Sequence, residues 1–267
     1  MINRFEEYLT CKELSSNTIK NYLFTVELFH SKYKKVTQKN LSLFKAFLIE
    51  SYKPRTVNIR LQAINKYLEF LHKDRMKLKI VKIQQKTFLE KVISNEDYLF
   101  LKNSLKRDED FDWYFLIWFM AATGARINEL LNFKVEHVNA GHIDIYSKGG
   151  KIRRIYIPVR LQTEAMEWLR KKQLSSGYIF LNPHGLRITA SGVAQHLKKL
   201  ADYYGVRRDV VYPHSFRHRF AKNFLEKFND LSLLADLMGH VNIETTRIYL
   251  RRTANEQREI VDRIIDW

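Results

Sequence analysis

The chain has 267 residues, of which 45% are hydrophobic, enough to bury the core of one large domain or of two modest ones. Its formal net charge of +17 predicts a polyanionic partner, with nucleic acid the first candidate and an anionic membrane surface the second. The single cysteine, Cys11, excludes an internal disulfide and any zinc cluster built from cysteines.

Residues 1–76 are predicted to form a small helical domain. The N-terminus carries early acidic residues and no apolar stretch, so it is unlike a signal peptide. Apolar residues recur at helical spacing from Ile19 to Phe29, after the candidate N-cap residues 15–17. The same pattern runs from Val57 to Leu71, after Pro54, and predicts a second long helix.

Several side chains on the polar faces of these helices are candidate contacts to DNA phosphates, with simple solvation of the surface as the alternative. They are Lys20, Arg55, Asn58, Arg60 and Lys66. Over residues 77–90 the periodicity fades and lysines, Lys82 among them, alternate with apolar residues. We expect an extended basic linker there, which could lie along a DNA backbone; an edge strand is the alternative.

Residues 91–267 are predicted to form a larger, mainly helical domain with one small antiparallel β-hairpin. The apolar run 113–122 is about half as long as a membrane helix and is expected to be a buried core helix of a soluble, cytoplasmic protein. The hairpin joins strands 142–146 and 152–157 through the glycine-rich turn 147–151. Further helices are predicted at 92–106, 111–122, 161–171, 191–204, 214–228, 231–238, 243–250 and from 254 onward.

The core helix is followed by a basic residue in an unusual place. Gly124 is a candidate C-terminal cap, so a new helix is predicted to begin near Arg126, with this arginine in its first turn. Free backbone N–H groups favour an anion there, whereas the helix dipole disfavours a basic side chain. Glu129 lies on the same face and could hold Arg126 in position; an ordinary surface ion pair is the alternative.

A second cluster lies at residues 214–219. His214 and Arg217 are three residues apart on a predicted helix, so both can point at one phosphate. His214 and His218 have the spacing of two zinc ligands, but residue 215 is serine where a metalloprotease helix has glutamate, and no third ligand is evident. We therefore predict no metal; a basic turn that grips DNA non-specifically, with Arg219, is the remaining alternative.

Two lysines lie in the hairpin turn. Lys148 could be an ordinary turn residue, or the tight turn could carry it into a groove where neighbouring cations lower its pKa. In that position it could donate a proton to a leaving oxygen. Lys151 is a candidate contact to DNA.

His240 and Tyr249 are nine positions apart, and a continuous helix would place them on opposite faces. A shared site therefore requires a break between them. Gly239 is suited to end the preceding helix, Asn242 to cap the next one, and Glu244 to complement the new N-terminus.

Taken together, these segments resemble the tyrosine recombinase, or phage integrase, family. The matching pieces, in the family's order, are AATGARINEL (121–130), the hairpin lysine, HSFRH (214–218) and LMGHVNIETTRIY (237–249). Residues 15–29 are similar to the family's core-binding domain, and Ala125 is a mild departure, since a bulkier residue is commoner there. The resemblance implies a helical, SAM-like core-binding domain followed by a mixed α/β catalytic domain.

The resemblance also implies a reaction. Tyr249 would attack a DNA phosphodiester, form a 3′-phosphotyrosyl bond and free a 5′-hydroxyl, without metal or ATP. Arg126 and Arg217 would hold the non-bridging oxygens, and His240 would hydrogen-bond the phosphate.

In the same scheme Lys148 would be the general acid and His214 would act in proton transfer to and from the tyrosine. A type IB topoisomerase shares these residue types, and an architectural DNA-binding protein with an inactive site is a further alternative. The core-binding domain favours a recombinase, and all six expected positions are filled.

The implied partner is double-stranded DNA with a specific recombination site, bound by a synaptic tetramer of this chain. The apolar residues of the predicted helix 254–267 would dock on a neighbouring protomer or on their own. Because the helical domain starts almost at Met1, we expect a simple recombinase without an arm-binding domain. Such proteins are encoded by bacteria, archaea, phages or mobile elements and act in integration, excision, inversion or resolution of DNA.

Overall fold

The computed structural model describes residues 2–83, 91–146 and 152–240, together with Thr246, Tyr249, Arg258, residues 261–263 and Ile265. The chain divides into two compact units, Met1–Gln85 and Lys86–Trp267. The described secondary structure is mainly helical with one two-stranded antiparallel sheet, which confirms the predicted fold class. Within the described ranges, no helix combines the length and the apolar character needed to cross a bilayer.

The first unit consists of four helices and a short 3-10 turn. They are α1 (Ile2–Cys11), α2 (Ser16–Lys32), α3 (Gln38–Ser51), α4 (Pro54–Phe70) and the turn Asp74–Met76. Helix α2 begins after Ser15, whose hydroxyl accepts the N–H of Thr18 at 3.3 Å, and α4 begins with Pro54 at its first position. Both predicted starts are confirmed.

Helix α4 organises the core of the first unit because two of its faces are apolar. One face contributes Leu61 and Leu68 to a cluster with residues of α2 and α3 such as Phe29 and Phe44. The other contributes Tyr67, which packs against α1 and accepts or donates a 2.9 Å hydrogen bond with His30 of α2. Each neighbouring helix therefore docks on α4.

Residues 77–83 are extended and pack on α4, and residues 84–90 of the predicted linker lie outside the described residues. The side-chain amide of Asn65 donates to the carbonyl of Leu78 at 2.9 Å, and its oxygen accepts the N–H of Leu78 at 2.8 Å. Asn58 pairs in the same way with Val81, at 2.9 and 2.8 Å. These amides imitate a neighbouring strand, so the segment is extended but belongs to the first unit.

The second unit contains the remaining described helices and the hairpin. They are α5 (Asn95–Arg107), α6 (Phe111–Thr123), α7 (Ile127–Leu130), α8 (Val135–Ala140), β1 (His142–Tyr146), β2 (Ile152–Tyr156), α9 (Val159–Lys171), α10 (Ala190–Tyr203), α11 (Pro213–Lys227) and α12 (Leu231–Met238). Helix α6 is buried from Tyr114 to Ala121 and contacts α5, α9 and α11, as expected of a core helix. The bounds predicted for α12 are confirmed, whereas the short helix α8 was not predicted.

Helix α5 begins three residues later than predicted, at Asn95 instead of residue 92. Ser94 is the N-cap, because its hydroxyl accepts the N–H of Asp97 at 3.0 Å. The preceding residue, Ile93, is buried, and its N–H donates to the hydroxyl of Ser215 at 2.7 Å. This bond fixes the start of α11, which carries several of the candidate site residues.

The hairpin has a simple antiparallel register in which His142 pairs with Tyr156 and Tyr146 with Ile152. Side chains alternate between the two faces of β2, so that Arg153 and Ile155 point inward. The next residues along the strand, Ile152 and Arg154, are exposed. An arginine therefore occupies the inward face of the sheet.

Replacing Asn65 by alanine tests the docking of residues 77–83. The change removes two hydrogen bonds and leaves the N–H and C=O of Leu78 without these partners, so we expect a loss of about 2 kcal/mol in the free energy of unfolding. Urea unfolding and amide hydrogen exchange at Leu78 measure the effect. Gln62→Ala, at an exposed position of the same helix, is the control. Unchanged protection of the Leu78 amide would contradict the assignment.

Candidate active site

The site is built around the junction between α6 and α7. Gly124 ends α6 in the left-handed conformation, with φ of 60°, as the sequence predicts. A β-carbon there would lie 2.4 Å from the ring of Phe220, so glycine is required for packing as well as for its backbone conformation. The carbonyl of Gly124 accepts a hydrogen bond from Arg217 of α11.

The sequence predicts Arg126 in the first turn of α7, and this prediction is wrong by one residue. Arg126 is the N-cap residue, and the helix begins at Ile127. Its backbone is extended because the carboxylate of Glu129 accepts its N–H at 2.8 Å, which delays the helix to Ile127. Its guanidinium donates to the other oxygen of Glu129 at 2.8 Å and to the carbonyl of Gly239 at 3.1 Å. The side chain stays 42% exposed, so it remains accessible to an anion.

Arg217 is the buried cation of the site, with only 3% of its surface exposed. It donates to the carbonyls of Gly124 and Met238, the second at 2.7 Å, and to Nε2 of His240 at 3.0 Å. Burial, followed by the charge of Arg126, lowers its pKa to about 10, which leaves it protonated at neutral pH. The backbone thus fixes this guanidinium before any ligand binds.

His240 follows the end of α12. Gly239 adopts the left-handed conformation at φ of 62°, and the N–H groups of residues 239 and 240 bond back to Asp236 and Ala235, both at 3.0 Å. The predicted helix end at Gly239 is confirmed. The proposed cap Asn242, together with Glu244 and most of the helix predicted at 243–250, lies outside the described residues.

The hydrogen bonds of His240 define its protonation. Arg217 can only donate, so Nε2 accepts, and the proton of the neutral ring lies on Nδ1, which contacts the hydroxyl of Thr246 at 2.8 Å. Burial and then the charges of Arg217, Arg126 and Arg153 lower the pKa of His240 to about 4. The ring is therefore neutral at physiological pH.

Tyr249 lies in the same site, with 6% of its surface exposed. Its ring stacks on that of His240 with centroids 6.1 Å apart and lies 5.3 Å from that of His218. Burial raises the pKa of its phenol, while the charge and hydrogen bond of Arg217 oppose this shift. The chain thus brings His240 and Tyr249 together despite their separation in sequence.

The two histidines at the start of α11 differ in exposure. His214 is solvent-exposed, yet partial shielding and the charges of Arg217 and Arg126 lower its pKa. His218 is largely buried, its Nδ1 has no partner among the described residues, and burial lowers its pKa to about 4. No set of three histidine, cysteine or acidic residues that could hold a metal occurs in the described part of the chain.

One residue of the site was missed by the sequence analysis. Arg153, inward on β2, donates to Glu129 Oε2 at 2.6 Å and to the carbonyl of Met238. Burial opposes the ionisation of Glu129, but the N–H of Arg126 and the charge of Arg153 outweigh it and lower the pKa of this carboxyl. The strand alternation held the signal, because it places Arg153 on the apolar face with Ile155.

The other sequence candidates have varied surroundings. Lys148 and Lys151 lie outside the described residues. The guanidinium of Arg219 stacks on the ring of Tyr98 at 3.9 Å and donates to Asn95 at 2.7 Å, so it holds α11 against α5. A phosphate contact by Arg219 would have to displace this packing.

Some candidate DNA contacts of the first unit bond or pack against other residues of this unit, and the others are exposed. Asn58 is occupied by Val81, Lys66 pairs with Glu69 at 2.9 Å, and Arg60 stacks on Tyr52 at 4.4 Å and on Phe24 at 5.0 Å. In contrast, three basic side chains are exposed. They are Lys20, Arg55 and Lys82. Of the predicted DNA contacts, these three need no rearrangement to reach a phosphate.

Comparisons with known proteins agree on one family. Residues 91–256 match the model of the phage integrase family. The chain is 30% identical to the tyrosine recombinase XerA of Pyrococcus furiosus over 98% of this chain and 93% of that protein. It is 29% identical to the tyrosine recombinase XerD of Listeria monocytogenes, with coverage of 97% and 96%.

Solved structures show the same fold. The XerH site-specific recombinase bound to difH substrate aligns with a TM-score of 0.72 and 22% identity, covering 98% of this chain and 93% of that one. A lambda integrase dimer bound to a core site aligns with a TM-score of 0.72 and 14% identity, covering 92% and 93%. The shared architecture therefore extends over nearly the whole chain.

The two neutral histidines predict a pH-dependent stability. Both His218 and His240 have folded pKa values near 4, below the ordinary value of 6.5, so unfolding takes up protons between these limits. Their contribution to the free energy of unfolding is fully present above pH 6.5 and is progressively lost as the pH falls toward 4. His218→Gln should reduce the proton uptake by up to about one proton per molecule. Urea unfolding between about pH 7 and pH 4 measures it, with the exposed His184→Gln as control. An unchanged slope in His218→Gln would contradict a buried neutral ring.

Proposed function

The chain belongs to the phage integrase family, and we propose that it is a site-specific tyrosine recombinase whose nucleophile is Tyr249. The observation that carries the assignment of Tyr249 is its position in the same site as two arginines and two histidines. The cationic side chains of Arg217 and Arg126 both act on the phenol in the direction that lowers its pKa. A phosphodiester held by these arginines would lie beside the tyrosine oxygen.

The reaction follows from this placement. The phenolic oxygen of Tyr249 attacks phosphorus, the bond from phosphorus to the 5′-oxygen breaks, and a 3′-phosphotyrosyl bond conserves the energy of the broken ester. Negative charge that develops on the non-bridging oxygens is met by Arg126 and Arg217. Because backbone carbonyls already orient Arg217, little reorganisation is needed when charge develops.

Proton transfers require further groups. Burial keeps the phenol protonated at rest, so its proton must leave as the bond to phosphorus forms. We assign this transfer to His214, which is exposed and whose lowered pKa leaves it neutral and able to accept. The departing 5′-oxygen would receive its proton from Lys148, by the family resemblance.

His240 can change roles without moving. In the described state its Nε2 accepts from Arg217, so it has no proton to offer a phosphate. A phosphate that draws away the Arg217 hydrogen bond frees Nε2. The hydroxyl of Thr246 can then donate to Nδ1 where it previously accepted, and the proton can reside on Nε2 facing the phosphate.

The substrate and the assembly belong to the same proposal. We infer that the chain acts on double-stranded DNA with a specific site, and that four protomers form a synaptic tetramer. Most of the helix predicted at 254–267 lies outside the described residues. The net charge of +17 supports a nucleic-acid partner. The exposed Lys20, Arg55 and Lys82 support contacts from the first unit.

Tyr249→Phe should abolish covalent attachment and keep DNA binding, because only the nucleophilic oxygen is removed. Detergent-trapped complexes with sheared genomic DNA of the source organism first yield the sequence of the site. A nicked duplex of that sequence then measures adduct formation on denaturing gels. Tyr203→Phe, at an exposed tyrosine, should form the adduct normally. An adduct formed by Tyr249→Phe would remove this residue from the mechanism.

Lys148→Ala should slow cleavage of the ordinary duplex, because the 5′-oxygen leaves without a proton donor. A duplex with sulfur in place of that bridging oxygen should restore the rate, since a thiolate leaves without protonation. Single-turnover adduct formation on both duplexes measures the effect. In Arg126→Ala the sulfur should give no such recovery, because the lost group acts on the non-bridging oxygens. Equal defects of Lys148→Ala on both duplexes would refute the role of general acid.

A further inference from the structure

Arg153 contacts groups outside the hairpin to which it belongs. Its side chain is 11% exposed, and its guanidinium reaches Glu129 and the end of α12. We propose that Arg153 is a positioning residue of the active site, which holds Glu129 and the turn at Gly239 so that Arg126 and His240 face one phosphate. This inference rests on the proposed function.

The first route runs through Glu129. One oxygen of this carboxylate accepts the guanidinium of Arg126, and the other accepts both the backbone N–H of Arg126 and the guanidinium of Arg153. Arg153 therefore holds the carboxylate oxygen that the guanidinium of Arg126 does not bond. Without it, Glu129 could rotate, and the guanidinium of Arg126 would lose its fixed orientation.

The second route runs through the end of α12. Arg153 and Arg217 both donate to the carbonyl of Met238, and Arg126 donates to the carbonyl of Gly239. Free carbonyls at a helix C-terminus attract cations, so these three arginines share two adjacent backbone carbonyls. His240 is the next residue, and its ring position depends on this turn.

Gly239 is adapted to the arginine. A β-carbon at this position would lie 2.6 Å from both Cδ and Nη1 of Arg153. The arginine stem therefore covers the face of the glycine that a side chain would occupy. This contact, together with the left-handed backbone, couples the identity of residue 239 to the presence of Arg153.

The cluster of Arg126, Arg153, Arg217 and Glu129 has more positive than negative charge. Glu129 pairs with Arg126 and Arg153, whereas Arg217 donates to the backbone carbonyl of Met238. Nε of Arg153 is buried without a partner among the described residues. Burying unbalanced cations is unfavourable for folding. An incoming phosphate supplies the missing negative charge, which is the expected property of a site organised for an anion.

The experiment compares two neighbouring arginines on opposite faces of β2. Arg153→Gln removes the guanidinium that bonds Glu129 and the end of α12. The control Arg154→Gln removes an exposed ion pair with Asp144 at 2.8 Å. Single-turnover adduct formation is measured on the nicked duplex recovered by trapping, and affinity for the same duplex by fluorescence anisotropy. We expect Arg153→Gln to slow adduct formation by about tenfold to a hundredfold with little change in affinity. Arg154→Gln should match the wild type; equal rates for all three proteins would overturn the inference.

Two further measurements separate positioning from other roles. If Arg153 acts through Glu129, the defect of the double variant Glu129→Gln/Arg153→Gln should be smaller than the product of the single defects. Multiplicative defects would overturn the inference. The bridging-sulfur duplex should leave the Arg153→Gln defect unchanged. A restored rate would also overturn it, because the arginine would then act through the hairpin lysine.

Folding defects do not obscure the test. Arg153→Lys keeps a cation beside Glu129 but cannot bond Glu129 and Met238 in the fork of a guanidinium. Its adduct rate should lie between those of the wild type and Arg153→Gln, at an unchanged melting temperature; a wild-type rate would overturn the inference. If the wild type itself forms no adduct at Tyr249, the proposed function fails as well. If the wild type forms the adduct and the Arg153 variants form it at the same rate, only the positioning role of Arg153 is refuted.

Discussion

The described site depends on two backbone carbonyls at the end of α12. The carbonyls of Met238 and Gly239 are acceptors for arginines that come from three separate elements: the N-cap of α7, strand β2 and helix α11. A helix end leaves such carbonyls without internal partners, so it can collect cations that would otherwise repel each other. The left-handed glycine turns the chain there and sends His240 back toward the same group of side chains. One helix terminus therefore brings together the residues proposed to bind phosphate.

This arrangement has an energetic cost, which a phosphate bound as proposed would relieve. Arg217 is almost fully buried, burial opposes its charge, and Arg126 and Arg153 add repulsion. The two histidines of the site respond by remaining neutral, as their pKa values near 4 indicate. Bound phosphate reverses this electrostatic balance, because it supplies negative charge where the protein has a surplus of positive charge. In the proposed reaction the same surplus of positive charge would stabilise the transition state.

Local signals in the sequence determined much of what could be predicted. The caps at Ser15, Gly124 and Gly239 depend on one residue and its neighbours, and the burial of α6 follows from an uninterrupted apolar run. What could not be predicted depends on partners distant in sequence. From the sequence, Asn58 and Arg219 are candidate DNA contacts on a polar surface. In the structure, Asn58 bonds Val81 and Arg219 stacks on Tyr98. Arg153 belongs to the same class, since its partners are 24 and 85 residues away in the chain.

The burial of Tyr249 has a consequence for the safety of the reaction. As the proposed nucleophile, a buried and protonated phenol would be unreactive toward stray electrophiles and toward phosphates that do not reach the neighbouring Arg217. In the proposed reaction the substrate would itself end this protection, because the phosphate that takes up the hydrogen bonds of Arg217 is the one that Tyr249 attacks. Recognition and activation are then a single event. A site-specific recombinase would gain from this coupling, because a protomer without bound DNA would have no activated tyrosine.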